Sequence, residues 1–251
     1  FSYLNNITLF NYKIIVPLSI LLVVGCYDDV FKLDYKFKFI FQIIVAKILI
    51  DNGFIIDNLH GLMGVFEINR IIAQLFTIFI ILAIINSLNF IDGIDGLAIS
   101  VVILFLFWYE FFSLFQSDFY FLSIILIGSL APLFYFNFRK KNKVFLGDAG
   151  SLFLGAIISI YTLNILSQNY FIKDQFDINK IIFVISILVY PIVDIIRVFF
   201  IRLKHRKSPF IADKNHIHHL ILNKTKSHIF TTGIIIMFSI LVVILIQLIL
   251  K

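Results

Sequence analysis

The sequence has few of the residues on which small secreted or soluble folds depend. It contains one cysteine, Cys26, which excludes a disulfide within the chain. Charged residues make up 14% of the chain, whereas about a quarter is usual for a soluble domain. The sequence begins at Phe1 without a basic segment and a short apolar run, so we expect no signal peptide. This composition excludes an ordinary soluble domain and a disulfide-stabilised one.

Apolar residues dominate instead, at 61% of the chain with a mean hydropathy of +1.01. Runs of about 20 apolar residues are typical of membrane spans, which must be helical because lipid offers no partners to backbone polar groups. The sequence therefore predicts an all-α polytopic membrane protein with one integral-membrane domain over residues 1–251. Eight spans are predicted, at about residues 8–27, 37–52, 70–89, 97–116, 119–138, 151–168, 180–201 and 229–250.

Basic residues are distributed unevenly between the two sets of loops. Most of the 21 lysines and arginines lie in or beside the loops 28–36, 90–96, 139–150 and 202–228. The positive-inside rule places these loops in the cytoplasm. The net charge of +6 follows from this asymmetry and favours anionic headgroups and phosphate-bearing ligands, so we expect no nucleic acid as a partner. On the opposite side, residues 51–69 predict a β-hairpin.

The first cytoplasmic loop begins with the motif YDDVFK. Asp28 and Asp29 are predicted to follow the end of the first span, where the helix dipole disfavours anions. We therefore expect compensation by Lys32 and Lys36 or by a metal ion. The alternative is a pair of solvated aspartates.

The second loop carries the motif NFIDGIDG between two long apolar runs. Asn89, Asp92 and Asp95 are spaced by three residues, which would place them on one helical face. The motif does not fit a calcium-binding loop, because no glutamate follows at the required spacing. Ordinary Asp-Gly turns are the alternative.

The third and fourth loops carry GDAGS and HIHH. The first would open a helix whose free N–H groups suit a phosphate, with Asp148 holding a divalent cation, although a cap with Ser151 is the alternative. The second places His216, His218 and His219 near basic residues, where they predict diphosphate contacts or only an exposed basic loop. No zinc-binding spacing fits them.

The four clusters together predict a membrane enzyme that acts on phosphates at the cytoplasmic interface. Carboxylates, magnesium and cationic side chains are the usual groups for phosphoryl transfer. An ion or metal transporter is a rival, but transport sites usually place ionisable groups in mid-span. The mid-span candidate is Asp194, which we expect to pair with Arg197 one turn away. Pro191 is expected to kink this span and open a groove for a lipid chain.

The ordered series DDVFK, NFIDGIDG, GDAGS and HIHH resembles the polyprenyl-phosphate N-acetylhexosamine-1-phosphate transferase family over residues 20 to about 222. The HIHH form is similar to the branch that uses UDP-N-acetylglucosamine for cell-surface glycans such as lipopolysaccharide O-antigen. The resemblance implies transfer of GlcNAc-1-phosphate from the UDP-sugar to undecaprenyl phosphate, with release of UMP. It implies magnesium, with manganese as a substitute, a location in the bacterial inner membrane, and allows a homodimer.

The resemblance also implies roles for individual residues. Asp148 would ligate magnesium, while Asp28 would act as base on the lipid phosphate or order it, with Asp29 in support. Asp92 and Asp95 would line the nucleotide and metal site beside Asn89. Phe145 would stack on uracil. The histidine loop of His216, His218 and His219 would bind the diphosphate or sugar, with Arg202 or Arg206 nearby. Lys32 would be a further substrate contact.

The chain departs from the family pattern in two places. Family members have ten or eleven spans, so we expect the first two spans and a basic loop between them to be missing, and an inactive or truncated member is an alternative. The stretch from Asn137 to Phe145 is one residue longer than the corresponding stretch in the family and lacks its proline. The resemblance therefore assigns no role to Asn137. A second rival is the CDP-alcohol phosphatidyltransferase signature in DGIDGLA, although Ile99 replaces its arginine.

Overall fold

The computed structural model describes residues 12–167, 170–173, 179–205 and 215–249. These parts of the chain form ten helices and one two-stranded antiparallel hairpin. The elements are α1 (Tyr12–Phe31), α2 (Tyr35–Asp51), β1 (Asn58–Leu62), β2 (Val65–Glu67), α3 (Arg70–Ile91), α4 (Leu97–Phe112), α5 (Tyr120–Asn137), α6 (Gly147–Leu166), α7 (Lys180–Ile187), α8 (Val189–Lys204), α9 (Ile217–Thr225) and α10 (His228–Ile249). The predicted hairpin is confirmed.

Several of these helices are long and apolar enough to cross a membrane, which confirms an all-α polytopic membrane protein. Among the described residues there are 5 such helices, namely α1, α3, α5, α6 and α10, and the bent pair of α7 and α8 makes a sixth if it counts as one span. Two further predicted spans correspond to the shorter helices α2 and α4, of 17 and 16 residues.

The seventh predicted span is broken between α7 and α8, which meet at an angle of 78°. The break lies at Leu188, three residues before Pro191. Proline has no backbone N–H, and its ring clashes with the carbonyl four residues earlier. That carbonyl belongs to Ile187, the last residue of α7, so the position of Pro191 accounts for the position of the break.

Helix α6 is the most deeply buried membrane helix, and it packs against α1 and α3 through small residues. A Cβ atom at Gly25 of α1 would lie 2.4 Å from the Cα atom of Ala149, and one at Gly155 of α6 would lie 2.8 Å from the Cα atom of Ile85. Both neighbours are backbone atoms. Glycine at these positions therefore lets the three helices approach closely, as is usual in membrane bundles.

Replacing Gly155 with valine should reduce the free energy of unfolding by about 1–3 kcal/mol, the usual cost of overpacking. The added atoms would meet the backbone of α3, which cannot rotate away as a flexible side chain could. Thermal unfolding of the detergent-purified protein measures the effect. Gly128→Ala in α5 is the matched control, because nothing lies within 4 Å of its Cβ position. Equal stability of both variants would contradict this account of the packing.

Candidate active site

A lysine and two aspartates from three helices form the centre of the candidate site. Nζ of Lys38 donates to Oδ2 of Asp28 at 2.7 Å and to Oδ2 of Asp148 at 3.0 Å. Asp28 is only 6% exposed, and its Oδ1 accepts a hydrogen bond from the backbone of Leu33 at 2.5 Å. One cation thus joins the end of α1, the start of α2 and the start of α6.

The position of the first two aspartates differs from the prediction. Asp28 and Asp29 lie inside the last turn of α1, because the helix continues to Phe31 and is followed by Lys32, whose φ is 51°. The expected compensating cation is also a different one. Lys38 makes the ion pairs, whereas the side chain of Lys32 is exposed. Binding of substrate by Lys32 stays a prediction.

Asp29 caps the first turn of α6. Its two carboxylate oxygens accept hydrogen bonds from the backbone N–H groups of Asp148 at 2.8 Å and Ala149 at 3.0 Å. A Cβ atom at Gly147, where φ is +69°, would lie 2.8 Å from Asp29 Oδ2. The predicted phosphate site at this helix N-terminus is therefore wrong for these two N–H groups, because a carboxylate of the chain itself already binds them.

Asn89 holds the other side of Asp148. Its Nδ2 donates to Asp148 Oδ1 at 2.6 Å and to Ser151 Oγ at 2.8 Å. Ser151 therefore helps to fix Asn89 rather than acting as the cap of α6. The two oxygens of Asp148 face different donors, Lys38 and Asn89, so its carboxylate has one defined orientation.

Asp92 ends α3 and lies in a field of negative charge. Burial first, and then the nearby charges of Asp148, Asp29 and Asp95, raise its pKa to about 7, against a hydrogen bond from the Gly147 backbone that lowers it. A carboxyl group that resists ionisation in this way is typical of a functional site. Three of the four predicted motifs thus converge around one side chain.

Asp95 contacts a lysine and a histidine that come from elsewhere in the chain. Its Oδ2 lies 2.6 Å from Lys143 Nζ, and its backbone N–H donates to Nδ1 of His228 at 3.1 Å. The carbonyl of Asp95 accepts from the hydroxyl of Thr232 in α10 at 2.9 Å. The prediction grouped Asp95 with Asp92, but Asp95 has its own counter-ion in Lys143. Its backbone contacts with His228 and Thr232 fix the turn before α4.

Asn137 and Phe145 lie on either side of the third loop. Asn137 is buried; its Oδ1 accepts from the Gly96 backbone at 2.5 Å and its Nδ2 donates to the carbonyl of Val144 at 2.7 Å. It therefore joins the second and third loops. Phe145 is 69% exposed, and Lys143 Nζ lies 4.8 Å from the centroid of its ring. The exposed ring is available for stacking, as the prediction requires.

His216 and His218 are buried and His219 is half-buried, so the motif is not exposed on a basic loop. Nδ1 of His216 donates to Asp194 Oδ2 at 2.6 Å, and Nδ1 of His218 lies 2.9 Å from the hydroxyl of Tyr190. A Cβ atom at Gly93 would lie 3.7 Å from Nε2 of His219 and 3.9 Å from Nε2 of His218. The histidine motif thus packs directly on the turn between Asp92 and Asp95.

The expected pair between Asp194 and Arg197 is wrong. Asp194 binds His216 and the backbone of Ile217, while Arg197 donates to the carbonyl of Asn215. One turn of helix separates the two residues, but α8 lies beside the start of α9, which offers each of them a better partner. Arg206 lies outside the described residues.

An apolar cavity of about 320 Å³ lies between α3 and α8. Its polar lining comes from Asn86, Arg202 and His216, and the rest is mostly phenylalanine and aliphatic side chains. Arg202 is buried with its guanidinium 5.7 Å from the centroid of the Phe90 ring, which also lies 5.4 Å from the ring of His216. Helix α8, which follows the bend, thus forms one wall of an apolar groove in which Arg202 is the cationic residue.

The site's donor atoms fit a hard divalent cation. Asp148 and Asp92 supply carboxylate oxygens. Burial is the main cause of the raised pKa of Asp92, and the charges of Asp148, Asp29 and Asp95 add a repulsion that a cation would relieve. Oxygen ligands favour Mg²⁺ or Mn²⁺ over zinc or copper. Asp148, with Asp92 beside it, is the pair that would hold such an ion.

Four side chains of this site were missed in the sequence: Lys38, Lys143, Tyr190 and His228. Lys38 had a usable signal, because a charged residue at the start of a predicted span is expensive unless it has a function or a partner. Tyr190 and His228 had none, since an aromatic residue and a histidine at helix ends are common in any membrane protein. Only the packing of the helices identifies them.

Comparison with known proteins gives a consistent result. A family model described as Glycosyl transferase family 4 matches residues 12–166. Undecaprenyl-phosphate alpha-N-acetylglucosaminyl 1-phosphate transferase of Pasteurella multocida is 37% identical over 230 residues, which cover 86% of this chain and 60% of that protein. The protein of the same name from Haemophilus influenzae is 35% identical over 223 residues, which cover 84% and 60%. A probable undecaprenyl-phosphate N-acetylglucosaminyl 1-phosphate transferase of Bacillus subtilis is 32% identical, with coverage of 86% and 59%. The chain spans about 60% of the length of these relatives.

Proposed function

This chain belongs to glycosyl transferase family 4, and from that premise we propose that it transfers N-acetylglucosamine 1-phosphate from UDP-GlcNAc to undecaprenyl phosphate. The relatives' names describe transfer of N-acetylglucosaminyl 1-phosphate to undecaprenyl phosphate, and the UDP-sugar donor is part of our proposal. The product would be a lipid-linked sugar diphosphate, the first membrane intermediate of a cell-surface polysaccharide such as lipopolysaccharide O-antigen. The by-product would be UMP.

One observation carries this proposal: Lys38 joins Asp28 to Asp148 at the point where the acidic motifs meet. Both substrates are anions that repel each other, so a site for this reaction needs cations and a divalent metal between them. The carboxylates would hold the metal, and the lysine would offset the charge that develops between the two phosphates. A site for sugar transfer without a phosphate acceptor would not need this arrangement.

The reaction forms one P–O bond and breaks another. An oxygen of the lipid phosphate attacks the phosphorus that carries the sugar, and the bond from that phosphorus to the oxygen of UMP breaks. Mg²⁺, when bound, neutralises charge on the diphosphate. The phosphate monoester is already largely ionised near neutral pH, so the reaction scarcely needs Asp28 as a general base. The fixed geometry of Asp28 favours a role in ordering the attacking group.

The apolar cavity between α3 and α8 is the proposed place for the lipid chain. Its walls are apolar, and Arg202 and His216 give it one cationic and one hydrogen-bonding side chain at which a lipid phosphate would stop. The charge asymmetry of the loops supports a cytoplasmic position for this end of the bundle, in the inner membrane of a bacterium. A UDP-sugar from the cytoplasm and a lipid from the membrane would then reach the site from two directions. The exposed ring of Phe145 supports stacking on uracil.

The test is a transfer assay on membranes that contain the full-length gene product. Labelled UDP-GlcNAc, undecaprenyl phosphate and Mg²⁺ should give a labelled lipid and an equal amount of UMP. Asp148→Asn should raise the Mg²⁺ concentration needed for half-maximal rate by about 10- to 100-fold, the usual cost of disturbing a metal ligand or its support. Asp51→Asn is the matched control, since Asp51 pairs with Lys47 at the opposite end of α2.

The alternatives give different results in the same assay. Product from another UDP-sugar, but not from UDP-GlcNAc, would keep the reaction class and change the substrate. No UMP from any UDP-sugar, in a preparation with normal thermal unfolding, would overturn the proposal in favour of an inactive member or a transporter. An unchanged Mg²⁺ requirement in Asp148→Asn would remove Asp148 as the metal ligand.

A further inference from the structure

Helix α8 sends two side chains to the start of α9. Tyr190 and Asp194 are four residues apart, so they lie on the same face of α8. Both are buried, and each binds one histidine of the HIHH motif through Nδ1. The family match covers residues 12–166, and neither residue lies within it.

Asp194 uses both of its carboxylate oxygens on this motif. Oδ2 accepts a hydrogen bond from Nδ1 of His216 at 2.6 Å, and Oδ1 accepts one from the backbone N–H of Ile217 at 2.6 Å. A carboxylate only accepts, so the hydrogen of His216 is on Nδ1, and Nε2 is the nitrogen left for a ligand. The bond to Ile217 also gives a partner to one of the backbone N–H groups in the first turn of α9, which have no acceptor within the helix.

His218 has a buried ring nitrogen that is open to a ligand. Its side chain is 0% exposed, and its Nε2 has no hydrogen-bond partner among the described residues. Buried polar atoms of this kind are rare, because an unsatisfied group costs about 1–3 kcal/mol. This atom lies 3.9 Å from the Cβ position at Gly93, beside Asp92. Burial also lowers the pKa of His218, to about 3, so the ring is neutral.

His216 faces a different part of the site. Its ring lines the apolar cavity together with Arg202 and Phe90. The two histidines therefore lie in different parts of the site. His218 lies next to the turn between Asp92 and Asp95, and His216 lies beside Arg202 in the proposed lipid groove. The orientation of His216 in turn depends on Asp194, which lies 2.6 Å from it and is only 2% exposed.

We propose that Asp194 is a positioning residue for the acceptor substrate: it fixes His216 so that Nε2 contacts the phosphate of the lipid acceptor at the end of the cavity. This inference rests on the proposed function. Asp194 itself touches neither substrate and acts through His216.

A metal ion held by Asp194, His216 and His218 is the competing interpretation. Their ligand atoms lie within 4.8 Å of one another. However, Nδ1 of His216 is at hydrogen-bond distance from Asp194, and Nδ1 of His218 is at hydrogen-bond distance from Tyr190. A hydrogen bond between two groups is not the arrangement of two ligands around an ion, so the positioning role is the one that the contacts favour.

A double-mutant cycle on the full-length protein tests the proposal. Asp194→Asn should lower kcat/KM for undecaprenyl phosphate by about 10- to 100-fold, because its amide would present a donor to His216 and reverse the tautomer. The KM for the UDP-sugar should change by less than about threefold. His216→Ala should have at least the effect of Asp194→Asn, and the double variant should be no worse than His216→Ala alone, because the two residues act as one unit.

A second variant separates the role in the reaction from a role in the fold. His216→Asn keeps a side-chain donor near the position of Nδ1, facing Asp194, but has no atom in the place of Nε2. It should unfold at the wild-type temperature and still lose kcat/KM for the acceptor. This variant keeps the proposal testable if Asp194→Asn fails to fold.

Three results would overturn the inference. The first is a double variant whose losses multiply, which would mean that the two residues act independently. The second is a normal acceptor kcat/KM in His216→Asn, and the third is stoichiometric metal in the purified protein that is lost in Asp194→Asn. Absence of turnover in the wild type with every UDP-sugar is a different failure, because it refutes the proposed function itself. Asp51→Asn again controls for loss of a carboxylate.

Discussion

Replacing Lys38 with methionine should reduce kcat of the proposed transfer by about 1,000-fold, similar to the loss of a key electrostatic group at other charged transition states. Methionine has nearly the same length and keeps the packing of the alkyl stem, but it removes the charge between Asp28 and Asp148. Those two carboxylates would then lie near each other without the cation that both contact. Asp28 is buried and would lose the cation that contacts it, so the temperature of unfolding should also fall.

Lys36→Met is the matched control for this experiment. Lys36 lies two residues earlier in α2, its side chain is exposed, and its contact with Asp34 uses the backbone N–H. We expect it to keep the wild-type rate. Lys38→Arg should recover part of the activity, because a guanidinium keeps the charge but not the geometry of one atom between two carboxylates. A Lys38→Met rate within threefold of wild type would show that Lys38 serves the fold and not the reaction.

The sequence predicts the helices well wherever a long apolar run defines them. The third span was expected at 70–89 and is found at Arg70–Ile91, because its apolar run is bounded by Arg70 and the polar NFIDGIDG motif. The alternation of the predicted spans placed the aspartate motifs on one face of the membrane. The structure brings three of these motifs together around Asp92.

The sequence could not identify the partners of these aspartates. Lys32 was the nearest cation in sequence, but a helix that ends at Phe31 turns Asp28 toward α2, and Lys38 is the residue within reach. The same limitation applies to Asp194, whose neighbour in sequence was Arg197 and whose partner in space is His216. Local spacing predicts contacts within one helix, whereas these contacts depend on how separate helices pack.

The break before α8 and the helix α9 show a second limitation. Pro191 indicates a disturbance, but a kink within one span and a 78° turn between two helices have the same sequence signal. The segment that contains α9 is basic and polar, so it was predicted as a loop. The helix is stabilised by contacts of Asp194 and Tyr190 with its start. A short apolar face of Ile217, Ile221 and Leu222 also packs against the core.

Replacing Asp92 with asparagine should make the protein more stable at pH 8 and nearly inactive. Burial and three neighbouring aspartates raise the pKa of Asp92 from an ordinary value of 3.8 to about 7. A carboxyl group with a raised pKa in the fold contributes its full stability below pH 3.8, and this contribution is lost as the pH rises through 7. The ionised group thus costs at most about 4 kcal/mol at pH 8, and because Asp92 is partly exposed we expect a gain of about 2 kcal/mol in the variant.

Thermal unfolding between pH 5 and pH 8 in the presence of EDTA measures this gain. The stability difference between Asp92→Asn and wild type should grow as the pH rises to 7 and then level off. Addition of Mg²⁺ at pH 8 should stabilise the wild type more than the variant, since an ion that binds only the folded state stabilises it by mass action. Asp95→Asn is the matched control with the opposite sign, because Asp95 pairs with Lys143 and its loss removes an attraction.

The combination of the two effects is what distinguishes a functional carboxylate from a structural one. A structural aspartate is stabilising in its ionised form, so its replacement lowers stability and activity together. An aspartate that the fold holds at a cost, for binding a cation, shows increased stability and lost activity on replacement. If Asp92→Asn is less stable than wild type at pH 8 without metal, the carboxylate belongs to the scaffold, and Asp148 alone would hold the metal.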